Sequence, residues 1–454
     1  MSPVLHQSMT DAAARLRDAV RAEAATGSRR LVRLSVPASP VDPSAWLCCQ
    51  RDDVRVLWSG KDERRIMAGV GAVDWIRGDA HATPAGVIAR CLRDLPDHPD
   101  ARVYGGFAFQ PSAAVDPDWQ AFGPSCFWIP RVELVRDDNG TRLACNVWID
   151  DSAPGDPAAA LEALDRLREP DPACVQSPPA ITGRVNHPDR EQWAVMVNAA
   201  LELIGNETLE KIVLARRADY QFDSAVDAAT LQHRIRGVTS NCYHFLLQPG
   251  PGAAFMGTTP ERLFRRTGTH LQSEVLAGTR TRGSSQDEDL AYARELLGSE
   301  KDQREHDIVR KSIRQRLHLL CANLLVDDQA NLLRLERKQH LHSKVSGELK
   351  PGVGDADLIS ALHPTPAVGG YPSDIAVHEI QRLEPFRRGW YAAPVGWMSR
   401  TGAEFAVAIR SGLVHGNTVS VYSGAGIVSG SVPAEEWEEI EAKIGDFQKV
   451  VRPA

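Results

Sequence analysis

The segment KIVLARR, residues 211–217, places a lysine directly before four apolar residues. Such a run predicts a largely buried strand with Lys211 at its start. Lysine is rarely buried without a partner. Because burial disfavours the charged form, a lysine in this place is suited to act as a general base. The alternative is a lysine at a strand end whose ammonium group reaches water.

A glutamate in a second apolar segment complements this lysine. Glu261 lies in GTTPERLFRR, residues 257–266, and LAGTRTRG, residues 276–283, follows. In a partly apolar pocket a carboxyl group keeps its proton longer and can deliver it to a leaving oxygen. A solvated glutamate in a turn is the alternative. A base, an acid and a Gly-Thr turn together predict a reaction site.

Length and composition restrict the class of protein. The chain has 454 residues, 43% of them hydrophobic, which is enough for one large domain or two to three ordinary ones. The formal net charge is −7 and no stripe of Lys or Arg stands out, which argues against a nucleic-acid-binding protein. No stretch approaches 18 apolar residues and the N-terminus lacks an apolar signal region, so neither a membrane span nor export is predicted. The eight cysteines form no CxxC pair, which disfavours a zinc site or a disulfide framework and favours a cytoplasmic protein.

A Pro-rich stretch, EPDPACVQSPP at residues 169–179, predicts a linker. It separates a strand-rich N-terminal part, residues 1–180, from a C-terminal catalytic region, residues 181–454. In the first part we expect an amphipathic first helix, a strand in RVYGGFAFQ, and a hairpin. The hairpin joins CFWIPRVELVR to TRLACNVWI around the Asn-Gly pair at residues 139–140.

The second part mixes helices and strands without strict alternation. Apolar residues recur at helical spacing at Trp193, Val197, Ala200, Leu201 and Ile204. The segments HFLLQ, FAVAIRSGLV and TVSVYSG predict strands. This pattern favours a large α+β fold over a doubly wound sheet.

Two predicted helices carry carboxylates on one face. Asp302 and Glu305 are three residues apart in SEKDQREHDIV, and Glu436, Glu439 and Lys443 follow at i, i+3 and i+7 in PAEEWEEIEAK. Two such helices can aim carboxylates at one point, and hard oxygen ligands of this kind suit Mg²⁺. The alternative is that Glu439 and Lys443 form an ordinary surface ion pair.

Other residues are candidates for anion binding. Gly278 and Thr279 in LAGT, and Gly424 and Gly426 in SGAG, leave room for a ligand beside the backbone N–H groups and can form an anion nest. Arg410 ends an apolar run, where it predicts either a bidentate clamp on a carboxylate or a surface charge.

Eight segments occur in an order that resembles the chorismate-utilising enzymes, from near Val185 to Val451. They are KIVLARR, GTTPERL, SEVLAGTRTRG, SEKDQREHDIV, LHPTPAVGG, RGWYAAPVGW, FAVAIRSGLV and SGAGIVSGSVPAEEWEEIEAK. The resemblance implies two large β-sheets that face each other, with helices packed outside and the active site in the cleft between the sheets.

The resemblance also implies roles for single residues. Glu305 and Glu439 match the direct magnesium ligands of the family, and Asp302 and Glu436 match its outer carboxylates. The positions that match substrate-contacting or pocket-lining residues are Tyr391, Arg410, Lys443 and His340. For Tyr391 a place in the core, and for His340 a purely structural role, are the alternatives.

The branch within the family depends on the nucleophile that attacks chorismate. Anthranilate synthases, which use ammonia from a glutaminase subunit, have an uncharged residue where this chain has Lys211. Aminodeoxychorismate synthases often place a nucleophilic lysine where this chain has Ala277. What remains is attack by water at C2 with Lys211 as base and loss of the C4 hydroxyl with Glu261 as acid, which gives isochorismate.

Two alternatives stay open. Salicylate synthases share the lysine and both glutamates and add elimination of pyruvate; the segments LHPTPAVGG and RGWYAAPVGW resemble the isochorismate-forming branch instead. A non-catalytic chorismate-binding or amidotransferase-partner module would not require a paired base and acid. We therefore expect a Mg²⁺-dependent monomeric enzyme that acts on chorismate without an obligatory glutaminase subunit. The sequence does not decide whether the product feeds menaquinone, a catecholate siderophore or salicylate.

Overall fold

The computed structural model describes residues 8–25, 30–93, 95–111, 116–150, 155–335 and 338–451, and these contain eleven α-helices and 22 β-strands. The helices are α1 Met9–Ala24, α2 Pro43–Cys49, α3 Pro84–Arg93, α4 Gly155–Asp165, α5 Arg190–Gly205, α6 Ala228–Arg236, α7 Gln286–Gly298, α8 Glu300–His318, α9 Asp355–Leu362, α10 Ser373–Leu383 and α11 Pro433–Val451. The first eleven strands are β1 Arg30–Pro37, β2 Val54–Ser59, β3 Ile66–Val70, β4 Asp74–Gly78, β5 Val103–Phe107, β6 Ser125–Ile129, β7 Val132–Asp137, β8 Gly140–Ile149, β9 Ile181–His187, β10 Lys211–Phe222 and β11 Tyr243–Pro249. The others are β12 Ala253–Thr259, β13 Arg262–Thr267, β14 His270–Thr281, β15 Cys321–Val326, β16 Asn331–Arg334, β17 Lys338–Leu349, β18 Gly370–Tyr371, β19 Pro394–Met398, β20 Gly402–Val407, β21 Ser411–His415 and β22 Thr418–Ile427.

The strands form two large antiparallel sheets, which confirms the predicted α+β class. Sheet A has the order β1-β8-β7-β3-β2-β11-β12-β21-β22-β10-β18, with β9 also paired to β10. Sheet B has the order β15-β17-β14-β13-β20-β19-β5-β6-β4, with β16 also paired to β17. Strands from both sides of residue 180 lie in both sheets, and one hydrophobic core runs through them.

Most local predictions agree with the observed elements. Ser8 caps α1, and its side chain accepts a hydrogen bond from the Asp11 N–H at 3.0 Å. The predicted hairpin is β7 and β8, closed by the pair Asp137 and Gly140. The predicted strand in RVYGGFAFQ is β5, and the helical pattern that begins near Trp193 is α5, which buries Trp193 and Val197.

Two predicted strands are wrong because each is divided between the sheets. CFWIPRVELVR breaks at Pro130, which lacks an N–H group to continue a ladder, so β6 lies in sheet B and β7 in sheet A. FAVAIRSGLV breaks at residues 408–410, where Arg410 has a positive φ of 50°; β20 lies in sheet B and β21 in sheet A. A positive φ cannot continue a regular strand.

A second crossing between the sheets lies next to this one. Pro260 and Glu261 connect β12 of sheet A to β13 of sheet B. The two crossings are hydrogen bonded to each other, from the Val407 N–H to the Glu261 carbonyl at 3.1 Å and from the Thr258 N–H to the Arg410 carbonyl at 3.0 Å. This pairing fixes Glu261 and Arg410 in one rigid region, which we call the corner between the two sheets.

The helices α8 and α11 complete the surroundings of that corner. Helix α8 packs on β14 of sheet B, whereas α11 packs on β22 of sheet A. Each helix therefore brings its carboxylates to a different sheet. Among the described residues, no helix is both long and apolar enough to cross a membrane.

Candidate active site

One cavity of about 390 Å³ gathers the residues that the sequence analysis singled out. A cavity of this size is typical of small-molecule sites. Of the fourteen predicted site residues thirteen line it, namely Glu261, Gly278, Thr279, Asp302, Glu305, His340, Tyr391, Arg410, Gly424, Gly426, Glu436, Glu439 and Lys443. The fourteenth, Lys211, lies directly behind this wall.

Lys211 begins β10 and is completely buried. Its Nζ contacts Glu305 Oε1 at 2.8 Å, so the lysine of sheet A is paired with a carboxylate of α8. Gly426 makes this approach possible, because a Cβ atom there would lie 2.6 Å from Glu305 Oε1 and 3.0 Å from Lys211 Cε. The predicted buried lysine is therefore present, and its amine contacts a carboxylate that lines the cavity.

Glu261 occupies the crossing between β12 and β13 with only 5% of its surface exposed. Burial and, to a smaller extent, the nearby Glu274 raise the pKa of its carboxyl group to about 8, against the opposing effect of Lys211. At neutral pH Glu261 therefore carries a proton. This is the state that a general acid requires.

Glu274 on β14 is a buried acid that the sequence analysis did not single out. It accepts hydrogen bonds from the Arg262 N–H at 2.7 Å and contacts His342 Nε2 at 3.3 Å, and Lys61 Nζ pairs with it. Although burial opposes it, Lys61 and His342 lower the pKa of Glu274 to about 2. Glu274 is thus ionised beside a protonated Glu261. The charged residue within the apolar run of SEVLAGT was a signal that could have identified it.

A bulge in β14 directs Thr279 toward the cavity. The register of β14 against β17 shifts between Ala277 and Thr279, and Gly278 at the bulge has a φ of 77°. Thr279 Oγ1 lies 2.9 Å from His340 Nδ1, and Arg410 Nη2 donates to His340 Nε2 at 3.0 Å. Because a guanidinium group only donates, the proton of His340 is on Nδ1.

His340 is kept neutral by its surroundings. Burial lowers its pKa well below the ordinary value, and the neighbouring Arg410, Lys338 and Lys443 act in the same direction. Its ring therefore holds Arg410 without neutralising the guanidinium charge. The guanidinium group of Arg410 is thus held in place where it lines the cavity.

Tyr391 and Lys443 border the cavity beside the SGAG turn. The Tyr391 ring stacks on Tyr422 with 5.3 Å between the ring centroids. Its hydroxyl oxygen would lie 3.0 Å from a Cβ atom at Gly424, and burial raises its pKa, so it stays a neutral donor. Lys443 Nζ donates to the Gly424 carbonyl at 2.9 Å.

Each of the four predicted metal-binding carboxylates is paired with a cation. The pairs are Glu305 with Lys211 at 2.8 Å, Glu439 with Lys443 at 2.7 Å, Glu436 with Lys301 at 3.0 Å and Asp302 with Arg280 at 2.9 Å. Lys301 and Arg280 lie inside quoted segments but were not singled out. In this arrangement no three His, Cys, Asp or Glu side chains within the described residues converge as a preformed metal site.

The donor set nevertheless fits a magnesium ion. The four predicted carboxylates and Glu435, from two helices, line one cavity, and Mg²⁺ prefers oxygen ligands and keeps several waters. Lys443 lowers the pKa of Glu439, which keeps this carboxylate ionised, whereas burial raises the pKa of Glu436 against the effect of Lys301. The carboxylates that could hold the ion directly are Glu305 and Glu439, each of which would exchange its lysine for the metal.

A family of chorismate binding enzymes has a sequence model that matches residues 15–452 of the chain. An isochorismate synthase from the chloroplast of Catharanthus roseus is 36% identical over 363 residues, which cover 78% of this chain and 63% of the plant protein. The chain thus spans less than two thirds of that relative.

Bacterial relatives match over more of their length. Isochorismate synthase MenF of Escherichia coli is 32% identical over 433 residues, which cover 94% of this chain and 95% of MenF. The solved structure of the E. coli enzyme, described as menaquinone-specific, superposes with a TM-score of 0.86 and covers 98% of this chain and 100% of that one, at 31% identity. A salicylate biosynthesis isochorismate synthase of Pseudomonas aeruginosa is 34% identical and covers 77% of this chain and 74% of its own.

Proposed function

The chain belongs to the family of chorismate binding enzymes, and from this premise we propose that it is an isochorismate synthase. Chorismate is the substrate, and isochorismate the product. The observation that carries the proposal is the pairing of a fully buried Lys211 with a buried, protonated Glu261 around one cavity. The similarity to isochorismate synthases along nearly the whole of MenF supports it.

Lys211 is the base in the proposed reaction. Its amine takes a proton from the water that attacks C2 of chorismate, after which the ring double bonds shift. Lys211 has no exposed surface, and its Nζ lies 2.8 Å from Glu305 Oε1, which fixes the position of the amine at the site. Water gives one proton to Lys211 in this step and leaves one hydroxyl on C2.

Glu261 is the acid that completes the exchange. Its protonated carboxyl group gives its proton to the C4 hydroxyl, which departs as water. Since one water enters and one leaves, the overall reaction consumes nothing and lies near equilibrium. The proton then has to return from Lys211 to Glu261, directly or through solvent.

The two carboxylates of chorismate need separate partners. Arg410, held by His340 on the corner between the sheets, is the fork donor for one of them, and Tyr391 and the backbone at Gly278, Thr279, Gly424 and Gly426 add hydrogen-bond donors. Mg²⁺ held by Glu305 and Glu439, with Asp302 and Glu436 around it, would supply positive charge against the other carboxylate. Lys443 would then be released from Glu439 toward the substrate.

The ammonia-using branches are the competing assignment. Ala277 provides no lysine for a covalent intermediate, and Lys211 provides a base for which ammonia has no need. A salicylate synthase shares the base and acid, so elimination of pyruvate is the second candidate activity. The relatives include isochorismate synthases described as menaquinone-specific and as serving salicylate biosynthesis.

The decisive experiment is incubation of the purified protein with chorismate and Mg²⁺, without ammonia and without a second subunit. Products are resolved by NMR, because isochorismate has the same mass as chorismate. Isochorismate alone supports the proposal, whereas salicylate with pyruvate assigns the second activity. Conversion only after ammonia or a glutaminase is added would contradict the role of Lys211. Size-exclusion chromatography of the same sample tests the proposed monomer.

A further inference from the structure

The acid Glu261 lies beside a buried ion pair to which the mechanism assigns no role. Glu274 of β14 is 7% exposed, and its partner Lys61 belongs to the connection between β2 and β3. Lys61 comes from the N-terminal part of the chain and lies about 150 residues before the first segment that resembles the family. The pair of Lys61 and Glu274 therefore connects the N-terminal part of the chain to the C-terminal region beside Glu261.

The contacts hold Glu274 close to Glu261 in a defined orientation. Glu274 Oε1 accepts a hydrogen bond at 2.7 Å from the N–H of Arg262, the residue that directly follows Glu261. Glu274 Oε2 lies 3.3 Å from His342 Nε2, and Lys61 Nζ also lies 5.5 Å from the centre of the Tyr243 ring. All of these contacts are made in a buried region, where charges are weakly screened.

Resting on the proposed function, we propose that Glu274 and Lys61 are a positioning pair with opposite effects on the acid, in which the carboxylate of Glu274 favours the proton-carrying form of Glu261 and Lys61 sets the size of that effect. Glu274 supplies a fixed negative charge next to the acid, which opposes its ionisation. Lys61 holds that charge in place and limits its effect. Neither residue lines the active-site cavity, and neither touches substrate.

The two carboxylates differ in state because their partners differ. Glu274 has a lysine, a histidine and a backbone N–H around it, whereas no described residue donates a hydrogen bond to the carboxyl group of Glu261. When two carboxyl groups lie close together in a buried region, one is ionised and the other keeps its proton, and the two can then have different roles.

The charged or titratable groups that face Glu261 are Glu274 of β14, Lys211 of β10, Lys61 after β2, Arg410 before β21 and Tyr391. Those that face Glu274 are Lys61, His342, Arg262, Tyr243 and Glu261.

The test compares Glu274→Gln, Lys61→Met and the double variant. In Glu274→Gln the acid Glu261 loses its negative neighbour and keeps the positive Lys61. The alkaline limb of the pH profile of kcat/KM should therefore move to lower pH by about one unit. In Lys61→Met the negative charge is uncompensated, so the same limb should move up. The double variant should return toward the wild-type profile. A purely structural role would move both single variants in the same direction or neither.

A second readout does not depend on turnover. Glu261→Gln is introduced into each background, and the difference in melting temperature between each pair is followed from pH 5 to pH 10. This difference reports the titration of Glu261 in the folded protein. If the midpoint of the Glu261 titration moves in opposite directions in Glu274→Gln and Lys61→Met, the result supports the positioning pair. This holds even if the protein does not convert chorismate, because a lack of conversion would contradict only the proposed function.

The controls separate folding from positioning. Glu348→Gln removes a half-exposed glutamate of the adjacent strand β17, which pairs with His270, and should leave both profiles unchanged. If Glu274→Gln does not fold, the upward displacement in Lys61→Met decides alone. An unchanged or downward midpoint in Lys61→Met overturns the inference.

Discussion

Lys211 and Glu261, the proposed base and acid, show how one site can hold two groups with opposite needs. Lys211 is completely buried and forms an ion pair with Glu305, the carboxylate that would bind the proposed metal. Glu261 is buried on the corner between the sheets, and no cation among the described residues forms an ion pair with it, so the proton stays on its carboxyl group. The environment, and not the residue type, determines which of them takes a proton and which gives one.

Replacement of the base tests the first of these roles. Lys211→Ala should lower kcat by about 10³-fold, because a positioned general base contributes roughly 10²–10⁴-fold. Binding of chorismate in the presence of Mg²⁺, followed by calorimetry, should be largely retained. Lys344→Ala, at an exposed position of β17, is the matched control. Turnover in Lys211→Ala equal to that of the control would refute the role.

The raised pKa of Glu261 makes a prediction about stability and pH. Because the carboxyl group has a pKa of about 8 in the fold and an ordinary value when unfolded, its burial costs stability increasingly as the pH rises from 5 to 8. Glu261→Gln should therefore melt higher than the wild type, with a difference that grows over this range to about 2–5 °C and levels off above it. Thermal melts at fixed pH measure it.

The same variant should be inactive at every pH, since glutamine has no acidic proton to give. The wild-type rate should fall above pH 8 as Glu261 ionises. A difference in melting temperature that is constant with pH would mean that the carboxyl group titrates normally, and the proposed acid would then be wrong.

At the scale of the element, helices α8 and α11 carry carboxylates to the cavity from opposite sheets, two from α8 and three, with Glu435, from α11. Glu439 and Lys443 are four residues apart on α11 and form the ion pair that sequence spacing alone would assign to a surface. The structure places this pair on the cavity, where the lysine also reaches the Gly424 carbonyl. A ligand that displaces Lys443 therefore changes two contacts at once.

Two adjacent glutamates of α11 allow a matched test of the metal proposal. Glu439→Gln should raise the Mg²⁺ concentration for half-maximal activity about tenfold or more, and should weaken binding of Mn²⁺ measured by electron paramagnetic resonance. Glu438→Gln removes an exposed partner of Arg190 and should change neither. Identical metal responses in the two variants would exclude Glu439 as a ligand.

The elements that sequence predicts well are those with a local signal. Helix α5 follows from its apolar spacing, and the β7–β8 hairpin from its Asn-Gly turn. The division of FAVAIRSGLV between two sheets has no such signal, because Arg410 adopts its positive φ through pairing with the distant crossing at Glu261. The site residues were found through their segments, whereas Lys61 was missed since only the folded chain brings it to Glu274.

At the scale of the molecule, the two sheets are shared by the whole chain. Strand β2 of the N-terminal part pairs with β11, and β5 pairs with β19, so each sheet continues across the predicted boundary near residue 180. The catalytic region alone would expose long strand edges at both places. The N-terminal part also supplies Lys61 to the site.

A truncated chain tests this dependence. Residues 181–454 expressed alone should lack a cooperative thermal transition, because eight strands of the two sheets are missing. The full chain should unfold in a single calorimetric transition. A fragment that melts cooperatively and converts chorismate would show that the catalytic region is an independent domain.

The pairing of the four predicted metal-binding carboxylates with cations also has a consequence for the response to salt. The four ion pairs of Glu305, Glu439, Glu436 and Asp302 are electroneutral as a group. A magnesium ion together with a substrate that carries two carboxylates is electroneutral as well, so the cavity exchanges one balanced set of charges for another. Ionic strength screens net charge, and it should therefore affect joint binding of metal and chorismate far less than binding of either one alone.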